Sequence, residues 1–366
     1  MQSNMTTLKK SAWDLSTQEV HGGQTWRDCP NFICDFSVTT NAIGTPTSGL
    51  TAAREALSDI HHYPAADTSE AIDALKKFMG YDGGLLLGNG ASEFIDLVMR
   101  VAPPGAVRTG PYKAAYMEYV RAGKASGRRI VKWDDAPSTQ NGVGGGSEGR
   151  EEEPAITIII RPNSPTGDYM ELEELEQVLQ QTKGIVVLDE SFIMFEGRNW
   201  KLQSGLSLLK KYPEKLMVLM SWTKFWACPG LRLGSIACED GWYRRIKTLQ
   251  TPWSCNSLAQ KFFVAACQDE EYLENTWSTL PGWKKRMEER VRDLGWKVNE
   301  KSPAWVPWVF IDLGSKDVAA KATVIAQNAG CPVRNCASFG TPQYIRLGVR
   351  APEHQDALFS AWKKVF

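Results

Sequence analysis

The chain has 366 residues, 43% apolar and 23% charged, the balance of a globular protein with room for one large and one smaller domain. Lys plus Arg and Asp plus Glu number 42 each, so no net basic field exists to draw in nucleic acid or an anionic membrane. No run approaches the ~18 apolar residues of a membrane span, and residues 1–15 lack the apolar core and cleavage site of a secretory leader, so the expected location is the cytoplasm.

In chain order, residues 85–87 form a short apolar run that predicts a strand, and 92–101 carry helical spacing. A helix over 114–124 and a strand near 130–133 follow. The glycine-rich, polar stretch 137–153 reads as an inserted surface loop with no catalytic role. Residues 156–160 are a continuous β-branched run, and 172–179 after it have helical spacing. Further apolar runs at 185–188, 216–220 and 233–237 complete a series of short strands, several of them separated by helices. Such strands predict an α/β fold with a mostly parallel sheet covered on both faces.

Beyond residue 256 the pattern changes. Amphipathic helices over 257–268 and 271–294 lead to strands at 308–312 and 344–348, then a last helix over 352–365. The expected organisation is an arm over 1–47, a large domain over 48–255 and a smaller α/β domain over 256–366. The eight cysteines include no C-x-x-C, and the four histidines, His21, His61, His62 and His354, lie at no zinc-like spacing from them. Free thiols and no metal site are expected.

Four strand ends carry chemistry. The apolar run 216–220 leads into Ser221-Trp222-Thr223-Lys224, with Arg232 eight residues on. A lysine ending a buried strand is pushed towards the neutral amine, which can form an imine with an aldehyde. Hydroxyls and a guanidinium nearby suit a phosphate. Together these suggest pyridoxal phosphate held as a Schiff base, although a lone S-x-x-K usually marks nothing more than a solvated loop. Gly88 to Glu93 form a glycine turn into a helix, where free N–H groups and the helix dipole offer an anion site around Gly90, Ala91 and Ser92. The plain alternative is a strand–helix turn capped by Ser92.

Arg161-Pro162-Asn163-Ser164-Pro165-Thr166-Gly167 form a proline-locked turn that can present Asn163 or Ser164, or simply a turn. Asp189, at the mouth of 185–188, is costly there unless paired. It is a candidate partner for a protonated pyridine nitrogen, with an N-cap or surface ion pair as the alternative.

In this order the four elements resemble the fold-type-I, pyridoxal-phosphate-dependent enzymes of the aminotransferase class I/II group, over nearly the whole chain. The resemblance implies that Lys224 carries the cofactor and that Asp189 meets the ring nitrogen. It implies that Gly90, Ala91, Ser92, Ser221, Thr223 and Arg232 cradle the phosphate. Tyr63 would reach the cofactor phosphate of a partner subunit, so a homodimer is expected. The aromatic residue stacked on the ring is expected at Tyr116, with Tyr112 as the alternative.

More narrowly, His21-Gly22-Gly23-Gln24, Asp35-Phe36-Ser37 with Asn41, Arg334-Asn335-Cys336, and Tyr344-Ile345-Arg346 with Arg350 are similar to threonine-phosphate decarboxylases, and more distantly to histidinol-phosphate aminotransferases. His21, Gly22, Gly23, Asn41, Arg334 and Arg346 would then bind the substrate, Arg346 taking its carboxylate. The implied activity is decarboxylation of a small O-phosphorylated amino acid, through a carbanion delocalised into the ring. The alternative is an aminotransferase using the same residues. Retention of Lys224 and Asp189 argues against a non-catalytic binding protein. Three departures stand out: Ser164 replaces the usual Asn before Pro-Thr-Gly, Phe192 stands where many aminotransferases have Tyr, and Gln24 replaces the usual Asn after His-Gly-Gly.

Overall fold

The computed structural model describes residues 21–29, 31–133 and 153–366, so the glycine-rich stretch lies outside the described residues except for its last position. Among the described residues, β1 (Gly84–Asn89) runs through Gly90 into the helix Ala91–Val101. Next come β2 (Val107–Thr109), the helix Glu118–Ala125, β3 (Ile130–Val131) and β4 (Ile156–Ile160). The helix Leu172–Gln181 leads to β5 (Ile185–Asp189), then β6 (Leu216–Ser221) and β7 (Leu233–Cys238). These strands form one sheet in the order β1-β7-β6-β5-β4-β2-β3. Neighbours from β6 to β3 are parallel, whereas β7 is antiparallel to both β1 and β6.

The unbroken apolar runs follow from burial on both faces. Every residue of β4, β5, β6 and β7 is buried. Successive side chains point to opposite faces, as the period of a strand requires. Val186, Leu188, Val218 and Met220 join one apolar cluster, while Ile185, Val187, Met217 and Leu219 join another beneath the helices Ala91–Val101 and Asp240–Leu249.

A second, antiparallel sheet contains β8 (Lys297–Val298), β9 (Trp308–Asp312), β10 (Arg334–Asn335) and β11 (Tyr344–Gly348), in the order β10-β11-β9-β8. The helices Glu270–Asp293, Lys316–Asn328 and Pro352–Trp362 accompany it. The helix Ser257–Ala266 lies instead against Thr47–Glu55, where Phe262 fills the space over Gly49. One apolar cluster runs from β5 and β6 through Phe262 and Phe263 to Trp308 and Trp362, so the two sheets share a core.

The helix expected over 114–124 begins only at Glu118. Asn163 Nδ2 donates to the Ala114 carbonyl at 2.8 Å, which ties that segment to the proline turn instead of a helical ladder. All eight cysteines are free thiols, buried except for the half-buried Cys34. Among the described residues no helix is long and apolar enough to cross a membrane.

Residues 35–41 form a strap between the sheets. Arg350 donates to the carbonyls of Asp35, Val38 and Thr40, and Gly348 N–H to that of Phe36. At the other end, Asn41 N–H donates to the Lys224 carbonyl at 2.8 Å. The strap therefore connects the smaller sheet to the turn that carries Lys224.

Candidate active site

The end of β6 sets the position of Lys224. After six buried residues the chain makes one helical turn, Trp222–Phe225, backed by the stacked rings of Trp222 and Trp226 at 5.3 Å. The indole of Trp222 donates to Ser235 Oγ on β7 at 2.9 Å, fixing that turn against the sheet. Lys224 Nζ reaches Ser221 Oγ at 2.9 Å. Burial lowers the Lys224 ammonium to a pKa of about 8; Asp189 opposes the shift, and Arg232 and Arg346 add to it. A substantial fraction of neutral amine is thus present at neutral to mildly alkaline pH.

Strand register assembles the anion cradle. Ser221 pairs with Gly234, and Gly234 pairs with Gly88 on its other side. A Cβ on Gly234 would run into the backbone N of Ala91, so only glycine lets β7 pass this close to the helix start. Gly90 has φ +80°, and a Cβ there would strike Arg232 Nη2. Arg232, itself at φ +57°, reaches Ser92 Oγ at 3.3 Å. Ser221 and Thr223 hydroxyls meet at 2.9 Å on the same side. The free N–H groups at Ala91 and Ser92, three hydroxyls and one guanidinium converge there as a phosphate site requires.

Asp189 is buried at the end of β5. Tyr119 Oη donates to its Oδ2 at 2.8 Å, and Ser191 donates to Oδ1 from its backbone N at 3.0 Å and its hydroxyl at 2.5 Å. Next to it, Glu190 turns the opposite way and pairs with fully buried Arg161 at 2.7 Å. Ser204 and the Gly205 N–H also donate to Glu190, while Arg161 N–H donates to the Asp189 carbonyl at 2.8 Å. This buried pair clamps the ends of β4 and β5 behind Asp189.

Tyr116 and Tyr112 separate clearly. Burial and then Glu118 and Asp189 raise the Tyr116 phenol, with Arg232 and Arg121 opposing, so Tyr116 lies under the influence of both Asp189 and the cradle arginine. Tyr112 instead lines a separate cleft with Lys113, Asp168 and Glu174. Asn163 spends its amide N–H groups on Ala114 and Thr166, and its buried Oδ1 has no partner among the described residues.

Substrate-side residues converge on two arginines. Arg334 on β10 and Arg346 on β11 are directly opposed in the antiparallel ladder, and both are buried. Like charges placed opposite each other repel, and a negative charge between them relieves the repulsion. Arg346 donates to Ser164 Oγ and the Ser37 carbonyl, each at 2.9 Å, and its buried Nε–H has no partner among the described residues. Burial lowers its pKa to about 10, with Cys336 opposing and Arg334 contributing. Arg334 donates to the Asn335 carbonyl and Ser338 Oγ and lies over the Phe339 ring.

His21-Gly22-Gly23 dock on the same strap. A Cβ on Gly22 would strike the Ser37 carbonyl, and Gly23, at φ +81°, donates to Ser37 Oγ at 2.8 Å. His21 Nε2 lies 3.4 Å from Glu118, which also pairs with Arg121. Asn41 is committed within the protein: Nδ2 donates to the Phe225 carbonyl and Thr276 Oγ1, and Oδ1 accepts from the Ile43 N–H. It holds the lysine turn, and only one lone pair of Oδ1 is left over. Tyr63 lies on the surface, 81% exposed and packed on Trp253 at 4.7 Å.

Sequence reasoning missed Tyr119 and Ser191. Asp-x-Ser at a strand end is a local signal for an Asx-type turn and could have revealed Ser191. Tyr119 lies 70 residues from Asp189, with no local signature.

A buried lysine with a depressed pKa, a strand-end carboxylate and a glycine-lined anion cradle on a mostly parallel sheet define a pyridoxal-phosphate-dependent enzyme. The family model for aminotransferase class I and II matches residues 33–359. Histidinol-phosphate aminotransferase 2 of Haemophilus influenzae is 28% identical over 336 residues, covering 91% of this chain and 90% of its own. Threonine-phosphate decarboxylase of Salmonella typhimurium is 27% identical over 348 residues, covering 92% of each chain. The crystal structure of histidinol-phosphate aminotransferase from Sinorhizobium meliloti with pyridoxal-5'-phosphate superposes with a TM-score of 0.80 at 18% identity, covering 99% of this chain and 98% of that one. The chain belongs to the aminotransferase class I and II family, and its cofactor is pyridoxal 5'-phosphate.

Proposed function

We propose that this enzyme removes CO₂ from a small O-phosphorylated amino acid, in the manner of a threonine-phosphate decarboxylase. The observation that carries this reading is the buried, directly opposed pair Arg334 and Arg346, where Arg346 Nε–H has no partner among the described residues. Two guanidiniums side by side suit a substrate with two anionic groups, and the forked donors of Arg346 suit a carboxylate. The two relatives above are named for phosphorylated substrates, which fits the same pair. The glycine turn at Gly22 and Gly23 extends the site from Ser37 to His21, the feature that favours the decarboxylase.

When bound, pyridoxal phosphate supplies an aldehyde that captures amines and a ring that accepts the electron pair left at the substrate's Cα. Lys224 would hold it covalently, and its amine, lowered to a pKa of about 8, would be the base that moves a proton at the substrate's Cα. Asp189 would meet its ring nitrogen, Tyr116 its face, and the Gly90–Ser92 turn with Ser221, Thr223 and Arg232 would hold its phosphate. Asn163 and Ser164 would lie towards its phenolic oxygen. Arg346 orients the carboxylate, and that orientation decides whether the bond to CO₂ or to hydrogen is broken.

An aminotransferase acting on the same class of substrate is the second reading, favoured by the 28% identity to histidinol-phosphate aminotransferase 2. Incubation with amino acids and their O-phosphates separates the two. Decarboxylation gives CO₂ and no 2-oxo acid. Pyridoxamine phosphate accumulation, with dependence on a keto-acid acceptor, contradicts it.

The functional unit proposed is a cytoplasmic homodimer. Leu57, Ile60, Tyr63 and Trp253 are all about half exposed or more, with Tyr63 and Trp253 in contact, and a second copy would cover them. Tyr63 from this surface would complete the partner's phosphate cradle.

A further inference from the structure

We infer that Tyr119 is a positioning residue that keeps the Asp189 carboxylate ionised and aimed, so that the proton shared with the cofactor's ring nitrogen stays on the nitrogen. The inference rests on the reading above that Asp189 meets that nitrogen. Tyr119 lies in the helix Glu118–Ala125, its side chain is buried, and its hydroxyl donates to Oδ2 at 2.8 Å.

The opposite oxygen is held as firmly. Ser191 donates twice to Oδ1, and Ser191 Oγ in turn accepts from the Ser221 N–H at 2.9 Å. Ser221 Oγ accepts from Lys224 Nζ, so a continuous chain of hydrogen bonds links Tyr119, Asp189, Ser191, Ser221 and Lys224. With each oxygen anchored from a different element, the carboxylate cannot rotate without breaking a bond.

Donors to a buried carboxylate favour its charged form, and a buried oxygen stripped of its donor favours protonation. Tyr119 remains a donor across the working pH range, because burial, reinforced by the Asp189 charge, raises its phenol well above the ordinary value. Lys224 and Tyr116 also feel the Asp189 charge, but no hydrogen bond joins either to that carboxylate among the described residues. Without the Tyr119 hydroxyl, the proton would pass from the ring nitrogen to Asp189 Oδ2. The ring would then lose its positive charge and accept the electron pair from Cα less well.

Tyr119→Phe removes the hydroxyl and keeps the ring in place. The test is the nitrogen NMR signal of holoenzyme reconstituted with ring-¹⁵N pyridoxal phosphate, read beside kcat and KM. The expected result is a shift towards the unprotonated pyridine value, with kcat lower by about 10- to 100-fold and KM within about three-fold, the scale of one hydrogen bond to a charged group.

A signal that stays at the wild-type position overturns the inference, whether or not kcat falls, because a merely structural tyrosine would leave it there. Asp189→Asn is the companion variant. If it moves the signal and Tyr119→Phe does not, the inference alone fails. If Asp189→Asn leaves the signal in place, the assignment of Asp189 fails and takes the inference with it.

Discussion

At the scale of single residues, the site depends on charges kept in a poorly solvated environment. Lys224 is useful because burial brings its ammonium down to about 8, so the sign of its pH dependence is fixed. Below that value the amine is protonated and cannot attack; above it the amine is free. The rate at which apoenzyme captures pyridoxal phosphate, followed by imine absorbance, should therefore rise with pH and level off above about 8. A rise delayed to the range of an ordinary exposed lysine would show that the amine is not desolvated. Arg346 carries the same logic for the substrate. Arg346→Gln keeps a hydrogen-bonding side chain but loses the charge and the fork, and kcat/KM should fall about 100-fold or more, as expected for two charge-assisted bonds. Cofactor absorbance should be unchanged in that variant.

At the scale of elements, strand ends and close backbone approaches locate these side chains. Gly22→Ala would drive a methyl group into the Ser37 carbonyl and lift the His21 turn from the strap. KM for a phosphorylated substrate should rise several-fold while cofactor binding is retained; an unchanged KM would remove this turn from the substrate site. Arg161→Met leaves Glu190 buried without its ion partner, which should destabilise the fold by about 3–5 kcal/mol, measured by denaturant unfolding of the holoenzyme.

The central strands were legible because burial on both faces leaves uninterrupted apolar runs, and residues 156–160, 308–312 and 344–348 coincide with β4, β9 and β11. β2, β8 and β10 have only two or three residues, too few to show any period. The start of the Glu118–Ala125 helix was hidden because Asn163, far along the chain, captures the Ala114 carbonyl. Lys224, Asp189 and the Gly90 turn were readable as strand-end chemistry, whereas the engagement of Asn41 by Phe225 and Thr276 depends on contacts 184 and 235 residues apart.

At the scale of the molecule, the strap over residues 35–41 joins the arginines of the smaller sheet to the lysine turn of the larger one. On the proposed reading, a substrate anion at Arg346 would thereby be held in register with Lys224. In the proposed homodimer, the exposed surface around Tyr63 would meet the second subunit. Tyr63→Ala should speed loss of the cofactor on dialysis without lowering thermal stability of the separated chain; retention equal to the wild type would take Tyr63 out of the partner's cradle. The central claim, that Lys224 is the residue holding the cofactor, is tested most directly by borohydride reduction of the holoenzyme followed by peptide mass mapping. The account predicts one pyridoxyl-phosphate-modified peptide, carrying Lys224, and none in a folded Lys224→Ala variant. A label on another lysine, or one that survives in that variant, would contradict it.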